Sequence, residues 1–285
     1  MAQTKHEIQA MLSAADARPM QRFGQNFMID ANLVRIVAEA GQIRAEDLVI
    51  EVGPGTGTLT EELLAGGANV LAVEIDRGLA EILRGKFGST RNFSMIEGDA
   101  LRGKHAVNEE VATAIADAKQ VGRTVRLVAN LPYNIASPLI VELLIAGVDL
   151  MAFTVQKEVA DRLAARPGSK TYGTLSIVVQ LLSRVEVLRT LPPQAFWPMP
   201  KISSALVRLT REDQLGTEAE EFSRFVQRIF SGRRKTLRNA MGFVEDVETV
   251  LKETGLDGGV RPEEVAVGDF LRVFGEIKTP RKRGG

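Results

Sequence analysis

The feature that most constrains the fold is a short apolar run that turns on glycines into a helix. Asp47-Leu48-Val49-Ile50-Glu51-Val52 is strand-length and carries β-branched residues, so it reads as a buried parallel strand. It runs directly into Gly53-Pro54-Gly55-Thr56-Gly57 and then into a helical stretch over 58–64. Three further runs repeat the plan. Val70-Leu71-Ala72-Val73 ends in Glu74-Ile75-Asp76, and Asn92-Phe93-Ser94-Met95-Ile96 ends in Glu97-Gly98-Asp99-Ala100. Val125-Arg126-Leu127-Val128-Ala129 ends in Asn130-Leu131-Pro132-Tyr133. Strands of this kind alternating with helices predict an α/β fold, a parallel sheet covered by helices on both sides.

The strand ends carry the chemistry. Glycines after the first strand let the backbone approach a ligand closely, and the helix that follows offers a positive dipole end. Glu74 sits at the tip of the second strand, about twenty residues after the first glycine, where a carboxylate can hydrogen-bond ribose hydroxyls. Gly53, Glu74 and Asp99 on three successive strand ends therefore point to a nucleotide-containing cofactor. The glycine spacing is G-x-G-x-G behind an acidic residue, Glu51, whereas a NAD-dependent oxidoreductase would want G-x-G-x-x-G.

The fourth strand end suits methylation of an exocyclic amine. Such a nitrogen is a poor nucleophile because its lone pair is delocalised into the ring. The side-chain carbonyl of Asn130 and the backbone carbonyl of Leu131 can accept both amine hydrogens and draw the nitrogen toward tetrahedral geometry. Pro132 leaves no backbone donor to compete, and Tyr133 can stack on the base.

The form E-x-G-x-G-x-G resembles motif I of the class I S-adenosylmethionine-dependent methyltransferases. Over essentially its whole length the chain resembles the small-subunit ribosomal RNA adenine N6-dimethyltransferases. Gly24-Gln25-Asn26-Phe27-Met28-Ile29-Asp30 looks like that family's G-Q-N-F-L motif, with Met28 for leucine. Phe196-Trp197-Pro198-Met199-Pro200-Lys201-Ile202-Ser203-Ser204 matches its F-x-P-x-P-K-V-x-S signature, with Ile202 for valine. The resemblance implies a Rossmann-like sheet of seven strands, the last antiparallel, followed by a small all-helical C-terminal domain. It implies transfer of methyl groups from S-adenosylmethionine to N6 of two adjacent adenosines of small-subunit rRNA during ribosome biogenesis. Cofactor contacts are implied at Asn26, Met28, Gly53, Glu74, Asp99 and Asn130, and target-base contacts at Asn130, Leu131, Tyr133 and Phe196. The implied partner is the small ribosomal subunit with its rRNA, met by a monomer. Macrolide-resistance methyltransferases of the large subunit, mitochondrial transcription-factor relatives and a non-catalytic ribosome-assembly factor are the neighbouring readings. The second signature favours the small-subunit enzymes.

Composition fits this reading with one tension. The 285 residues exceed one average domain, and 45% hydrophobic content suffices for a core. No cysteine is present, so disulfides and thiolate-held metals are excluded, which suits a cytoplasmic setting. The start, Met1 to Glu7, has no apolar core of a signal peptide, and no apolar stretch is long enough to span a membrane. His6 and His105 lack ligand-spaced partners, so no metal site is expected. The tension is charge: Lys+Arg and Asp+Glu are both 36, whereas an RNA-binding chain is usually basic. Phosphate contacts depend on local clusters, and three are available: Arg18 with Arg22, Arg233-Arg234-Lys235 with Arg238, and the tail from Lys278 to Arg283.

The organisation expected is a methyltransferase domain over 1–212, opened by an N-terminal arm, and a helical domain with a basic tail over 213–285. Strands are expected to end with 186–190 and 205–210, the proline-rich loop between them being unable to join the sheet. Beyond the charged stretch 211–218 the apolar periodicity is helical, on Phe222, Phe225, Val226 and Ile229 and then over 237–241, 247–251 and 265–274. With few apolar residues per helix, that domain is expected to lean on the first domain for stability.

Overall fold

The structure is a computed structural model and describes residues 3–15, 18–19, 24–103 and 106–278. Arg22, His105 and the tail beyond Lys278 lie outside the described residues.

In chain order the elements are α1 (Lys5–Ala14), β1 (Phe27–Met28), α2 (Ala31–Ala40), β2 (Leu48–Val52), α3 (Thr58–Ala65), β3 (Asn69–Glu74), α4 (Arg77–Phe87), β4 (Phe93–Glu97) and α5 (Glu109–Gln120). Then come β5 (Val125–Asn130), α6 (Ala136–Ile145), β6 (Leu150–Gln156), α7 (Lys157–Leu163), α8 (Thr174–Leu182), β7 (Ser183–Leu191), β8 (Phe196–Trp197) and β9 (Ser204–Arg211). The last helices are α9 (Ala219–Ser231), α10 (Leu237–Ala240), α11 (Val247–Thr254) and α12 (Val267–Lys278). Local chemistry sets several boundaries. Thr4 and Glu7 form a capping box at the start of α1, and the carboxylates of Asp30 and Asp76 cap α2 and α4 by accepting backbone N–H groups.

Seven strands form one sheet in the order β4-β3-β2-β5-β6-β9-β7. The pairs β3–β4, β2–β3, β2–β5 and β5–β6 are parallel, and β9 runs antiparallel to β6. The chain winds outward from β2 to β4, then returns to place β5 on the other side of β2. That reversal opens a crevice beyond the C-terminal ends of β2 and β5, the place where such sheets bind ligands. Core strands are apolar on both faces, as parallel strands under helices must be: β6 is buried from Leu150 to Val155. The proline-rich loop stays out of this sheet, yet its first two residues do pair. Phe196–Trp197 forms an antiparallel ladder with Phe27–Met28, which joins the two family signatures in a separate two-stranded sheet.

One charged pair is sealed at the opposite end of the sheet. Arg126 Nε donates to Asp47 Oδ2 at 2.5 Å and Arg126 Nη1 donates to the Gly41 carbonyl at 3.1 Å, with both side chains buried.

The chain divides into two compact units, and the division departs from the expected boundary at 212. The first comprises the described residues up to Ala160 with Val185–Arg211; the second comprises Asp161–Arg184 with the described residues from Glu212 onward. The reason is α8. Its residues Leu175, Ile177, Val178, Val179, Leu181 and Leu182 are all buried, and it packs on α9 and α12. The helices after 212 thus acquire an apolar helix from upstream. Within this unit Phe222 and Phe225 meet Phe274 at centroid distances of 5.3 and 5.4 Å, and Tyr172 donates its hydroxyl hydrogen to the Val265 carbonyl at 2.9 Å.

Candidate active site

The crevice is a cavity of about 280 Å³, near the lower end of the roughly 300–1,000 Å³ typical of ligand sites. Its walls contain Asn26, Met28, Gly53, Glu74, Asp99 and Asn130, so all six residues with an expected cofactor role lie around one space.

The glycine turn forms its floor. Gly53 and Gly55 have φ of +69° and +63°, a left-handed conformation that side chains disfavour. A Cβ on Gly53 would lie 3.1 Å from Pro132 Cγ, and one on Gly55 would lie 2.9 Å from Phe27 Cε1. The turn is therefore pressed between the N-L-P-Y loop on one side and the G-Q-N-F-M motif on the other. Only glycine fits both conformation and space.

Glu74 closes β3 and is buried. Its Oε2 accepts the Gly55 N–H at 3.2 Å and its Oε1 accepts the Asp76 N–H at 2.9 Å. Burial pushes its carboxyl up to about 7, helped by the charge of Asp76 and opposed by these backbone donors. Beside it Ile75 is 45% exposed while lining the cavity. An exposed aliphatic side chain next to a buried carboxylate offers a surface for a flat ring. The signal for Ile75 in the sequence is its place between Glu74 and Asp76. Asp99 is exposed on the same wall; its Oδ1 accepts the Leu101 N–H at 3.0 Å, and no partner of Oδ2 is found among the described residues.

Glu51 lies deeper. It is fully buried, its Oε2 accepts the Thr60 hydroxyl hydrogen at 2.6 Å, and burial pushes its carboxyl up to about 8 against that bond, with Glu74 adding repulsion. The folded pKa is above the unfolded one of 4.5, so the stability this group contributes is full below about 4.5 and is lost as pH rises through about 8. Glu51→Gln keeps shape and acceptor but cannot ionise. Melting temperatures measured from pH 5 to pH 9 are expected to fall less steeply for the variant; parallel curves would mean that Glu51 is already solvated.

Asn130 ends β5 with both ends of its amide engaged. Nδ2 donates to the Asn26 carbonyl at 2.6 Å, and Oδ1 accepts from the Thr154 hydroxyl on β6. Asn26 in turn holds its own turn by donating from Nδ2 to the Gly24 carbonyl at 3.0 Å. Met28 reaches the cavity wall while packing in the core cluster.

The remaining expected target-base residues stand differently. Leu131 is buried, and its N–H donates to the Thr154 carbonyl at 3.2 Å. Tyr133 is half-buried, with its hydroxyl 2.7 Å from Ser204 Oγ; burial raises its phenol above the usual range, and this hydrogen bond opposes the rise. Neither residue belongs to the cavity wall. Phe196 is only 2% exposed, packed with Met28, Leu33, Val37 and Leu206. Its pairing with Met28 draws the ring into the core, so in this structure it supports the wall from behind and does not face the cavity.

Two residues outside the expected set brace the glycine turn. Gln3 Nε2 and Lys86 Nζ both donate to the Thr56 carbonyl, at 3.1 and 3.0 Å. Helix α1 is thereby seated beside the site, with Ile8 and Leu12 packed against Phe27 and Leu79. Trp197 stacks on Phe27 at 6.1 Å between centroids. Of the histidines, His6 is exposed on α1. Among the described residues no cluster of three or more His, Cys, Asp or Glu could hold a metal ion, and no helix is long and apolar enough to cross a membrane.

A parallel sheet with one reversed strand, with a glycine turn and carboxylates on the next two strand ends around a cavity at the β2–β5 switch, defines the class I methyltransferases. Known proteins narrow the class. The family model for ribosomal RNA adenine dimethylase matches residues 18–279. The ribosomal RNA small subunit methyltransferase A of Pseudomonas syringae pv. syringae is 42% identical over 261 residues, covering 90% of this chain and 93% of the relative. The crystal structure of the 23S rRNA methyltransferase ErmE superimposes with a TM-score of 0.64 at 25% identity, over 89% of this chain and 100% of that one. A dimethyladenosine transferase from Plasmodium falciparum gives 0.68 at 24% identity, over 88% and 96%, a likeness of fold. The chain belongs to the ribosomal RNA adenine dimethylase family.

Proposed function

We propose that the protein transfers methyl groups from S-adenosylmethionine to N6 of two adjacent adenosines in small-subunit ribosomal RNA, giving dimethyladenosines during ribosome biogenesis in the cytoplasm. The observation that carries this reading is Asn130. It stands on the cavity wall, tied to Asn26, in the same space as Gly53, Glu74 and Asp99. Family membership and the small-subunit enzymes among the relatives support the substrate.

The residues present fit the cofactor. Ile75 and Glu74 offer an apolar face beside an acceptor pair, and the Thr56 hydroxyl is buried at the wall with no hydrogen-bond partner among the described residues. Asn26, Met28, Gly53, Glu74, Asp99 and Asn130 would hold it. When bound, its sulfonium supplies an activated methyl group. The protein then contributes proximity and orientation. Asn130 Oδ1 and the Leu131 carbonyl accept the amine hydrogens, and Tyr133 offers a ring for stacking at about 1–3 kcal/mol per base. No strong general base is needed before attack, because the product ammonium is acidic.

Ribose hydroxyls donate to Glu74, and donated hydrogen bonds favour the charged carboxylate. Since burial holds Glu74 near 7 without them, cofactor affinity is expected to rise as pH increases through about 7. Glu74→Gln should flatten that rise in a titration followed by calorimetry; an unchanged profile would remove Glu74 from the ribose.

The basic cluster after α9 divides into paired and unpaired members. Arg233 pairs with Glu263 at 3.1 Å and Arg238 with Glu248 at 2.6 Å, whereas Arg234 and Lys235 are exposed with no partner among the described residues. Replacing Arg234 and Lys235 together by alanine should weaken binding to small subunits and reduce the log–log salt slope by up to about two. Cofactor affinity should not change. An unmoved slope would make this a solvated face.

The direct test is incubation with labelled S-adenosylmethionine and unmodified small subunits, followed by mapping of the methylated nucleotides. Two adjacent dimethyladenosines are expected. Label at other nucleotides only, or none at all, would overturn the reading.

A further inference from the structure

One buried hydroxyl touches the acceptor side chain that the reaction requires, and the same residue holds the second acceptor through its backbone. Thr154 lies on β6 opposite Asn130 in the parallel register, with no exposed surface. Its hydroxyl donates to Asn130 Oδ1, and its carbonyl accepts the Leu131 N–H at 3.2 Å. The other end of the Asn130 amide donates to the Asn26 carbonyl at 2.6 Å. A carbonyl can only accept, so the amide nitrogen must face Asn26 and the oxygen must face Thr154. The orientation of the amide is thereby decided, and an amide oxygen with two lone pairs keeps one for a substrate.

We infer that Thr154 is a positioning residue for methyl transfer: its hydroxyl and carbonyl hold Asn130 Oδ1 and Leu131 as a fixed pair of acceptors for the exocyclic amine. The inference rests on the role proposed for Asn130. Packing does not require a hydroxyl here. The neighbours Leu150, Met151, Ala152, Phe153 and Val155 are apolar and buried, and valine would fill the same space. The terminal torsion of asparagine is broad and soft, so one tether at Nδ2 leaves the oxygen free to swing. A misplacement of about 1 Å can cost about 100-fold in rate.

The test uses the full chain with Thr154→Val, Thr154→Ala and Thr154→Ser, in single-turnover methylation of unmodified small subunits at saturating cofactor. Thr154→Val and Thr154→Ala should slow transfer by roughly tenfold or more, and Thr154→Ser should recover most of the rate. The loss should persist at saturating concentrations of both substrates, appearing in kcat and not in KM. The mono-methylated amine has one hydrogen left with which to be held, so mono-methyladenosine should accumulate. Wild-type rates in Thr154→Val, or equal slowing of both transfers in step with a lowered melting temperature, would overturn the inference. Asn130→Ala is measured alongside. If it too transfers at the wild-type rate, the role of Asn130 fails and this inference with it. If Asn130→Ala is slow and Thr154→Val is fast, only Thr154 is released from its role.

Discussion

Asn130→Ala is expected to slow methyl transfer by about 10²–10³ at saturating substrate, the loss found when one oriented polar group is removed from a preorganised site. The amide is held at both ends, by Asn26 and by Thr154, and such restraint is wasted on a residue that only shapes a turn. Alanine removes the acceptor together with the tie to Asn26, so cofactor affinity should fall as well, and the rate must be compared at saturating cofactor. Folding should suffer far less, because Asn130 is only half-buried at the end of its strand. Tyr133 supplies the contrast. Tyr133→Ala removes the stacking ring and puts roughly 1–3 kcal/mol of base engagement at stake. Tyr133→Phe keeps the ring and loses only the hydrogen bond with Ser204. The check is single-turnover methylation of small subunits beside a melting curve for each variant. Near-wild-type turnover by folded Asn130→Ala would end the proposed mechanism.

The residues legible in the sequence share one property: each announces itself locally. Gly53, Glu74 and Asn130 stand immediately after apolar runs and Asp99 within three residues of one, and strand ends on one edge of a parallel sheet converge whatever lies between them. The sheet order then brings β4, β3, β2 and β5 side by side, and the four residues with them. What stayed hidden depends on pairing between distant segments. Thr154 acquires meaning only through its register with Asn130, and Ser204 only through Tyr133. Phe196 carries an aromatic signature that suits stacking, but the ladder between β1 and β8 turns it into the core. The run of basic residues at 233–238 reads as one cluster until Glu248 and Glu263 neutralise two of its members. A boundary at 212 rests on a change in composition, which cannot reveal that α8 packs with α9 and α12, much later in the chain.

Asp47→Ala is expected to be the most destabilising of these substitutions while leaving chemistry intact. Asp47 Oδ2 accepts from Arg126 Nε and from the Arg44 N–H at 2.9 Å, in a site closed to water. Removing the carboxylate strands a buried guanidinium with the Gly41 carbonyl as its remaining acceptor among the described residues, a loss that costs about 3–5 kcal/mol at such sites. Against a total stability of about 5–15 kcal/mol, that is a large fraction of what holds a domain folded. Salt should scarcely change the effect, since a buried pair is poorly screened. The paired substitution Asp47→Leu with Arg126→Met should recover most of the loss, because both charges then leave together. Function should be spared: Arg126 lies four residues before Asn130 on β5, about 13 Å along an extended strand. Urea unfolding of the single and double variants, with transfer rates per folded molecule at low temperature, separates the two effects. A single-variant loss below about 1 kcal/mol is what a solvated surface pair would give, and it would show that water reaches Arg126 in solution.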